Sequence, residues 1–121
     1  KEVAYHLRHA AEWVIRLGDG TEESHARMGD ALEELAMYTG ELFENDALTQ
    51  AATAAGFGVD PSALQAEWTH TVESVLAEAT LEMPTVAHMQ SGGRAGRHSE
   101  HLGHLLSELQ YMQRTYPGMR W

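Results

Sequence analysis

The residues best suited to chemistry are Glu22 and His25. They stand three apart, so on a helix they are neighbours on one face. Stepping back by threes along the apolar stripe of their segment, from Met28 to His25 to Glu22, puts both on the core-facing side. A Glu-x-x-His pair on an inward face is the spacing of four-helix bundles that hold two irons or manganeses. In those bundles two helices each give a Glu and two others each give Glu-x-x-His. A hard carboxylate and a borderline imidazole suit such metals. Glu2 is then the candidate lone Glu of the adjoining helix, with His6 one turn away. The plainer alternative is a first-turn Glu serving the helix dipole beside a half-exposed His.

A second constellation is His98, His101 and His104 with Glu100 and Glu108. His101, His104 and Glu108 share one helix face, a set that a metal would accept. The same residues could equally make a pH-sensitive polar face packed on a partner. Glu2, His6, His9, Trp13 and Arg16 form a stripe beside the apolar face of the first segment and offer a second contact face. The Gly92-Gly93-Arg94-Ala95-Gly96-Arg97 loop lacks the Lys-Ser/Thr of a P-loop. Its two Arg suit a phosphate or a carboxylate, or the loop is a mobile linker. Arg94, Arg97, His98 and His101 are the expected partner contacts. There is no Ser-nucleophile motif, and the absence of Cys excludes thiol catalysis, thiolate metal sites and disulfides.

The elements that must position these groups read as helices throughout. Val3, Leu7, Ala10, Val14 and Leu17 recur at steps of four and three, which predicts a helix over about 2–17, ended by Gly18-Asp19-Gly20. Thr21 is the expected N-cap of a second helix, 22–44, with Glu22 and Glu23 well placed for its dipole. The short turn between them makes the two antiparallel neighbours. Asp46 caps a short helix over 47–55, and Asp60-Pro61 opens one over 61–83, closed by Pro84. Its inward residues are Leu64, Trp68, Val72, Val75 and Ala79. Residues 84–98 read as a loop, most flexible at its glycines. A last helix is expected over 99–116, with Leu102, Leu105, Leu106, Leu109 and Met112 as its stripe. No period-2 alternation appears, so no sheet is expected.

The 121 residues suit one domain or part of one. Eighteen acids against eight Lys and Arg give a net charge of −10. From Met28 to Gly93 there are eleven acids and no Lys or Arg. That stretch repels nucleic acid. It reads as a solvated acidic surface, or as a face that docks a basic partner. No apolar run approaches the ~18–20 residues that span a bilayer. Neither nucleic acid nor membrane is therefore an expected partner, and the absence of Cys agrees with a cytoplasmic location.

Several stretches resemble one family. They are Glu12 to Ser24, Tyr38 to Phe43, and above all Gly92 through Gly103 followed by Glu108 to Arg114 and Pro117-Gly118…Trp121. These resemble the C-terminal half of the PaaC-type subunit of the phenylacetyl-CoA epoxidase (phenylacetate-CoA oxygenase). The resemblance implies an all-α, ferritin-like helical bundle, present here as its C-terminal half. It implies a non-catalytic structural subunit of a multicomponent bacterial oxygenase that epoxidises the aromatic ring of phenylacetyl-CoA in phenylacetate degradation. It implies a PaaA-type catalytic partner that carries the di-iron site, and no cofactor on this chain. Glu2, Glu22 and His25 would then be a vestigial half of an ancestral ligand set. The alternative is a di-iron or di-manganese protein whose own site is completed by a missing half or a second copy. A half-bundle leaves apolar stripes bare, so the expected covers are a second copy of the chain or the other half of a longer parent.

Overall fold

The computed structural model describes residues 1–120; Trp121, the last residue of the tail motif, lies outside the described residues. Among the described residues six α-helices are joined by 3-10 turns and loops, with no strand. The helices are α1 (Glu2–Gly18), α2 (Glu22–Leu35), α3 (Ala47–Ala54), α4 (Gln65–Glu78), α5 (His101–Leu109) and α6 (Tyr111–Thr115). The chain divides into two compact units, residues 1–90 and residues 91 onward.

In the first unit, Thr21 caps α2 as its side chain predicts. Its hydroxyl accepts from the Ser24 N–H, and the Ser24 hydroxyl accepts from the Thr21 N–H. The helix expected to run to residue 44 loses α-geometry at Leu35 and continues as a 3-10 stretch, Ala36–Phe43. One local and one distant hydrogen bond account for this. The Thr39 hydroxyl donates back to the Ala36 carbonyl at 2.8 Å, competing with the helical ladder. The Met37 carbonyl accepts from the Gln90 N–H at 2.8 Å. Phe43 at the end of this stretch meets Trp68 of α4 edge to face, with ring centroids 5.3 Å apart.

Asp46 opens α3 through a reciprocal cap with Thr49. Asp60 ties the return of this excursion to its start. Its carboxylate accepts from the Asn45 amide at 2.6 Å, the Ser62 hydroxyl at 2.7 Å and the Ser62 N–H at 2.9 Å. Pro61–Leu64 is a 3-10 turn leading into α4.

The helix expected to reach residue 83 ends at Glu78. Pro84 is not its stop. The Leu81 N–H bonds the Leu76 carbonyl at 2.8 Å and the Thr80 N–H bonds the Ala77 carbonyl at 3.2 Å. This is a Schellman ending with Thr80, at φ +59°, in the place that Gly usually takes. It turns Leu81 back onto Leu76 and Ala79, and Val14, Ile15, Met28, Leu32, Val72 and Met83 pack around these three. Ala79 is fully buried. Of the residues expected inward on this helix, Trp68, Val72 and Val75 are half-buried and Leu64 is exposed.

The core is therefore a knot at one end of α1, α2 and α4. Residues 2–10 of α1 are exposed all round, with Val3 at 80% and Leu7 at 57% despite their place on the apolar stripe.

The second unit carries the final helix expected over 99–116. It divides at Gln110 into α5 and α6, and His98 to Glu100 are not helical. No side chain caps α5. Leu105, Leu109 and Met112 of the expected stripe are exposed.

Two outcomes test this packing in the full-length protein. A methyl group at position 18 would lie 2.5 Å from the Ala79 carbonyl oxygen and 2.8 Å from the Ala79 Cβ. Gly18→Ala should therefore cost about 1–3 kcal/mol or more in urea unfolding. Thr80→Gly should stay within about 1 kcal/mol of wild type, because relief of the left-handed strain offsets added chain entropy. The Ser62 hydroxyl, the Asn45 amide and the Ser62 N–H hold the Asp60 carboxyl below its usual value. A lowered native value means stability that is present above the ordinary carboxylate range and is lost as pH falls through and below it. Asp60→Asn should accordingly flatten the acid limb of the stability profile below about pH 4.

Candidate functional site

α1 and α2 are antiparallel across a tight turn, so the last turn of α1 lies beside the first turns of α2. The His25 ring marks the junction: its Nδ1 is 2.7 Å from the Gly18 carbonyl oxygen. A carbonyl only accepts, so Nδ1 carries the proton and donates. One of the end carbonyls of α1, which no helical N–H reaches, is thereby satisfied. The Thr80 hydroxyl lies 3.4 Å from both the Gly18 oxygen and His25 Nδ1. Three helix ends thus meet at one carbonyl. Position 18 must be glycine because the backbone of Ala79 occupies the space of a side chain. Thr80 holds its strained backbone where its hydroxyl can reach this point.

Of the sequence-predicted metal set, Glu22 and His25 sit one turn apart at the start of α2, with Glu22 exposed and His25 half-buried. Glu2 is at the other end of α1. Sixteen residues separate it from Gly18, about 24 Å along the axis at 1.5 Å per residue. These three side chains do not fit a common metal centre. Among the described residues no three His, Asp or Glu side chains converge on a metal-sized space. Residues His98, His101, His104 and Glu108 are all exposed and share no such arrangement.

The other stripe of α1 is an aromatic ladder. Tyr5 and His9 stack with centroids 5.6 Å apart and planes 16° from parallel. His9 meets Trp13 edge-on at 6.4 Å. The Arg16 guanidinium stands over Trp13 at 5.1 Å and that of Arg8 over Tyr5 at 5.8 Å. Sequence reasoning found His9, Trp13 and Arg16 but missed Tyr5, whose i, i+4, i+8 spacing with them was the available signal.

In the second unit, the stretch expected to be most flexible is a closed turn. Gly92 (φ +97°) and Gly96 (φ +90°) bracket a 3-10 turn, and the Gly92 carbonyl accepts from both the Ala95 and Arg97 N–H groups at 3.0 Å. The aliphatic stem of Arg97 covers Gly92, where a Cβ would come within 2.8 Å of its Cδ. Arg94, Arg97, His98 and His101 are all exposed. No described helix is long and apolar enough to cross a membrane.

The family model described as "Phenylacetic acid catabolic protein" matches residues 1–121. The 1,2-phenylacetyl-CoA epoxidase component designated C, of Escherichia coli (strain K12), is 43% identical over 121 residues, which are 100% of this chain and 49% of that protein. The chain thus spans about half the length of the curated relative it matches. The match runs through both units, as the motifs at Glu12–Ser24 and Gly92–Arg114 imply. With this identity along its whole length and an all-α architecture of the ferritin-like type, the chain belongs to the phenylacetic acid catabolic protein family.

Proposed function

We propose that this chain is part of a non-catalytic structural subunit of a multicomponent di-iron oxygenase that epoxidises the aromatic ring of phenylacetyl-CoA. The observation that carries the reading is the 43% identity to a named component of 1,2-phenylacetyl-CoA epoxidase, sustained over every residue of this chain. The geometry supports it. Glu2 stands a helix length from Glu22 and His25. Large apolar side chains such as Val3, Leu7, Leu35 and Leu42 lie on helix surfaces with nothing over them. A scaffold needs such faces for assembly. A PaaA-type catalytic subunit is the proposed partner, and the di-iron centre is proposed to sit there. Arg94, Arg97, His98 and His101 remain proposed contacts to that partner.

A second reading has one specific observation in its favour. With Nδ1–H held by a backbone carbonyl, Nε2 of neutral His25 is left as the acceptor nitrogen, which is how a metal-ligating His is commonly oriented. Glu22 is one turn away. A missing half or a second copy would then have to supply the other ligands.

Metal content and activity separate the two. The full-length subunit is purified alone and with the catalytic subunit. The scaffold reading expects co-purification, negligible iron on the subunit alone, and epoxidation by the assembled complex that changes less than about twofold in Glu22→Ala and His25→Ala. Loss of a metal-holding group would cost about tenfold or more. About two metals per complete bundle, lost in those variants, would establish the second reading instead.

A further inference from the structure

The 3-10 stretch that follows α2, Ala36–Phe43, is eight residues long. Such runs rarely exceed about three or four residues, because their hydrogen bonds are poorer than those of an α-helix, and a long one marks a hinge or a sequence under strain. The sequence here has the period of an α-helix instead. Wound as one, the stretch would bring Thr39 and Leu42 within about 40° of Met28, on the face of α2 that packs on the core. A strap from elsewhere in the unit holds the tighter form. Residues 82–90 leave the Schellman turn, run without helical structure and meet the stretch at two points. The Gln90 N–H donates to the Met37 carbonyl at 2.8 Å. Met89 lies against Gly40, where a Cβ would come 3.2 Å from the Met89 Cγ and 3.3 Å from its Cβ and Sδ.

Met37 and Gly40 stand three apart. Residues at that spacing eclipse in a 3-10 turn but lie about 60° apart on an α-helix. The strap therefore grips a row that only the 3-10 winding lines up. Ala36 is buried, which fixes the near end of the stretch, so a change of winding is felt at Phe43. Passing from 3-10 to α over this length shortens the stretch by about 4 Å and turns its far end by about 160°. Phe43 would then leave Trp68, whose ring it meets edge to face at 5.3 Å. Gln90 is the last residue of the first unit and Ser91 the first of the second. Displacement of the second unit therefore pulls on the latch through the chain itself.

We propose that residues 36–43 are a two-state hinge. With Gln90 and Met89 seated, they hold the 3-10 form and the Phe43–Trp68 contact. With the strap lifted, they wind into an α-helix continuous with α2 and release Trp68. Gly40 is the seat of the strap because it has no side chain to keep Met89 away. The inference concerns the mechanics of this chain and stands apart from the subunit reading.

The test uses the full-length protein and proton–proton contacts measured by NMR. Wild type should show Hα–HN contacts at i, i+2 through residues 36–43 and a contact between the Phe43 and Trp68 rings. Gln90→Pro removes the latch N–H. It should replace those contacts with Hα–HN contacts at i, i+4 and abolish the ring contact. Gln90→Ala keeps the N–H and should match wild type. Gly40→Ala crowds Met89 and favours an α-helix; it should convert the stretch as well, and it decides the matter where Gln90→Pro does not fold. A stretch that stays 3-10 without the latch N–H, or that loses its helical contacts without gaining those at i, i+4, overturns the hinge. So does a wild type that already shows i, i+4 contacts throughout, or a Gln90→Ala variant that converts as fully as Gln90→Pro, because the N–H is then not the latch.

Discussion

The closest constraint in the molecule is the contact between the end of α1 and the end of α4. Gly18 has no side chain, and the backbone of Ala79 fills the space one would occupy. From that approach the rest of the knot follows. α4 must stop at Glu78 to let Ala79 reach Gly18. Thr80 must then take a left-handed backbone to turn the chain, and the turn lays Leu81 on Leu76. The α1 carbonyl left bare at Gly18 collects the His25 ring, which fixes the rotation of α2 against α1. A close backbone approach, a strained residue and a buried apolar triad are one cooperative arrangement.

That knot is small beside what it has to hold. Among the described residues only Ala36, Leu76, Ala79 and Leu81 are buried hydrophobics, while many large apolar side chains are exposed. At about 25 cal/mol per Å² of apolar surface, bare stripes on α1 and α5 represent burial still to be gained. The chain spans about half the length of the relative it matches. The exposed faces of α1 differ in kind. One carries Val3 and Leu7, and the other is the Tyr5–His9–Trp13 ladder with Arg8 and Arg16 over its rings.

Electrostatics divides the chain in a similar way. From Met28 to Gly93 the chain has eleven acids and no Lys or Arg. The second unit holds Arg94 and Arg97 around a turn closed by Gly92 and Gly96 rather than on a loose linker. Glu2, Glu22 and His25 show the contrast: the residue types are those of a di-iron bundle, but the first is spent at a helix start far from the other two.

Periodicity and punctuation made much of this legible. The 3.6-residue stripes showed that the chain is helical, and Gly18-Asp19-Gly20, Thr21, Asp46 and Asp60-Pro61 marked helix ends that the structure keeps, because a cap or a tight turn is local chemistry. Motifs from Glu12 to Arg114 placed the family. Helix ends that depend on another part of the chain were not legible. Leu35 ends α2 because Gln90 takes the Met37 carbonyl, and Glu78 ends α4 because Gly18 leaves room for Ala79; Pro84, the stronger local signal, had no part in it. The end of the short helix near residue 55 was visible, but the exposure of Phe57 beyond it was not, since nothing local says whether an aromatic residue points at a core. The sequence by itself thus determined helix content, caps, charge and family. Only the tertiary structure decided which stripes are covered and which ligand-type residues meet, because burial and proximity belong to pairs of elements distant in the chain.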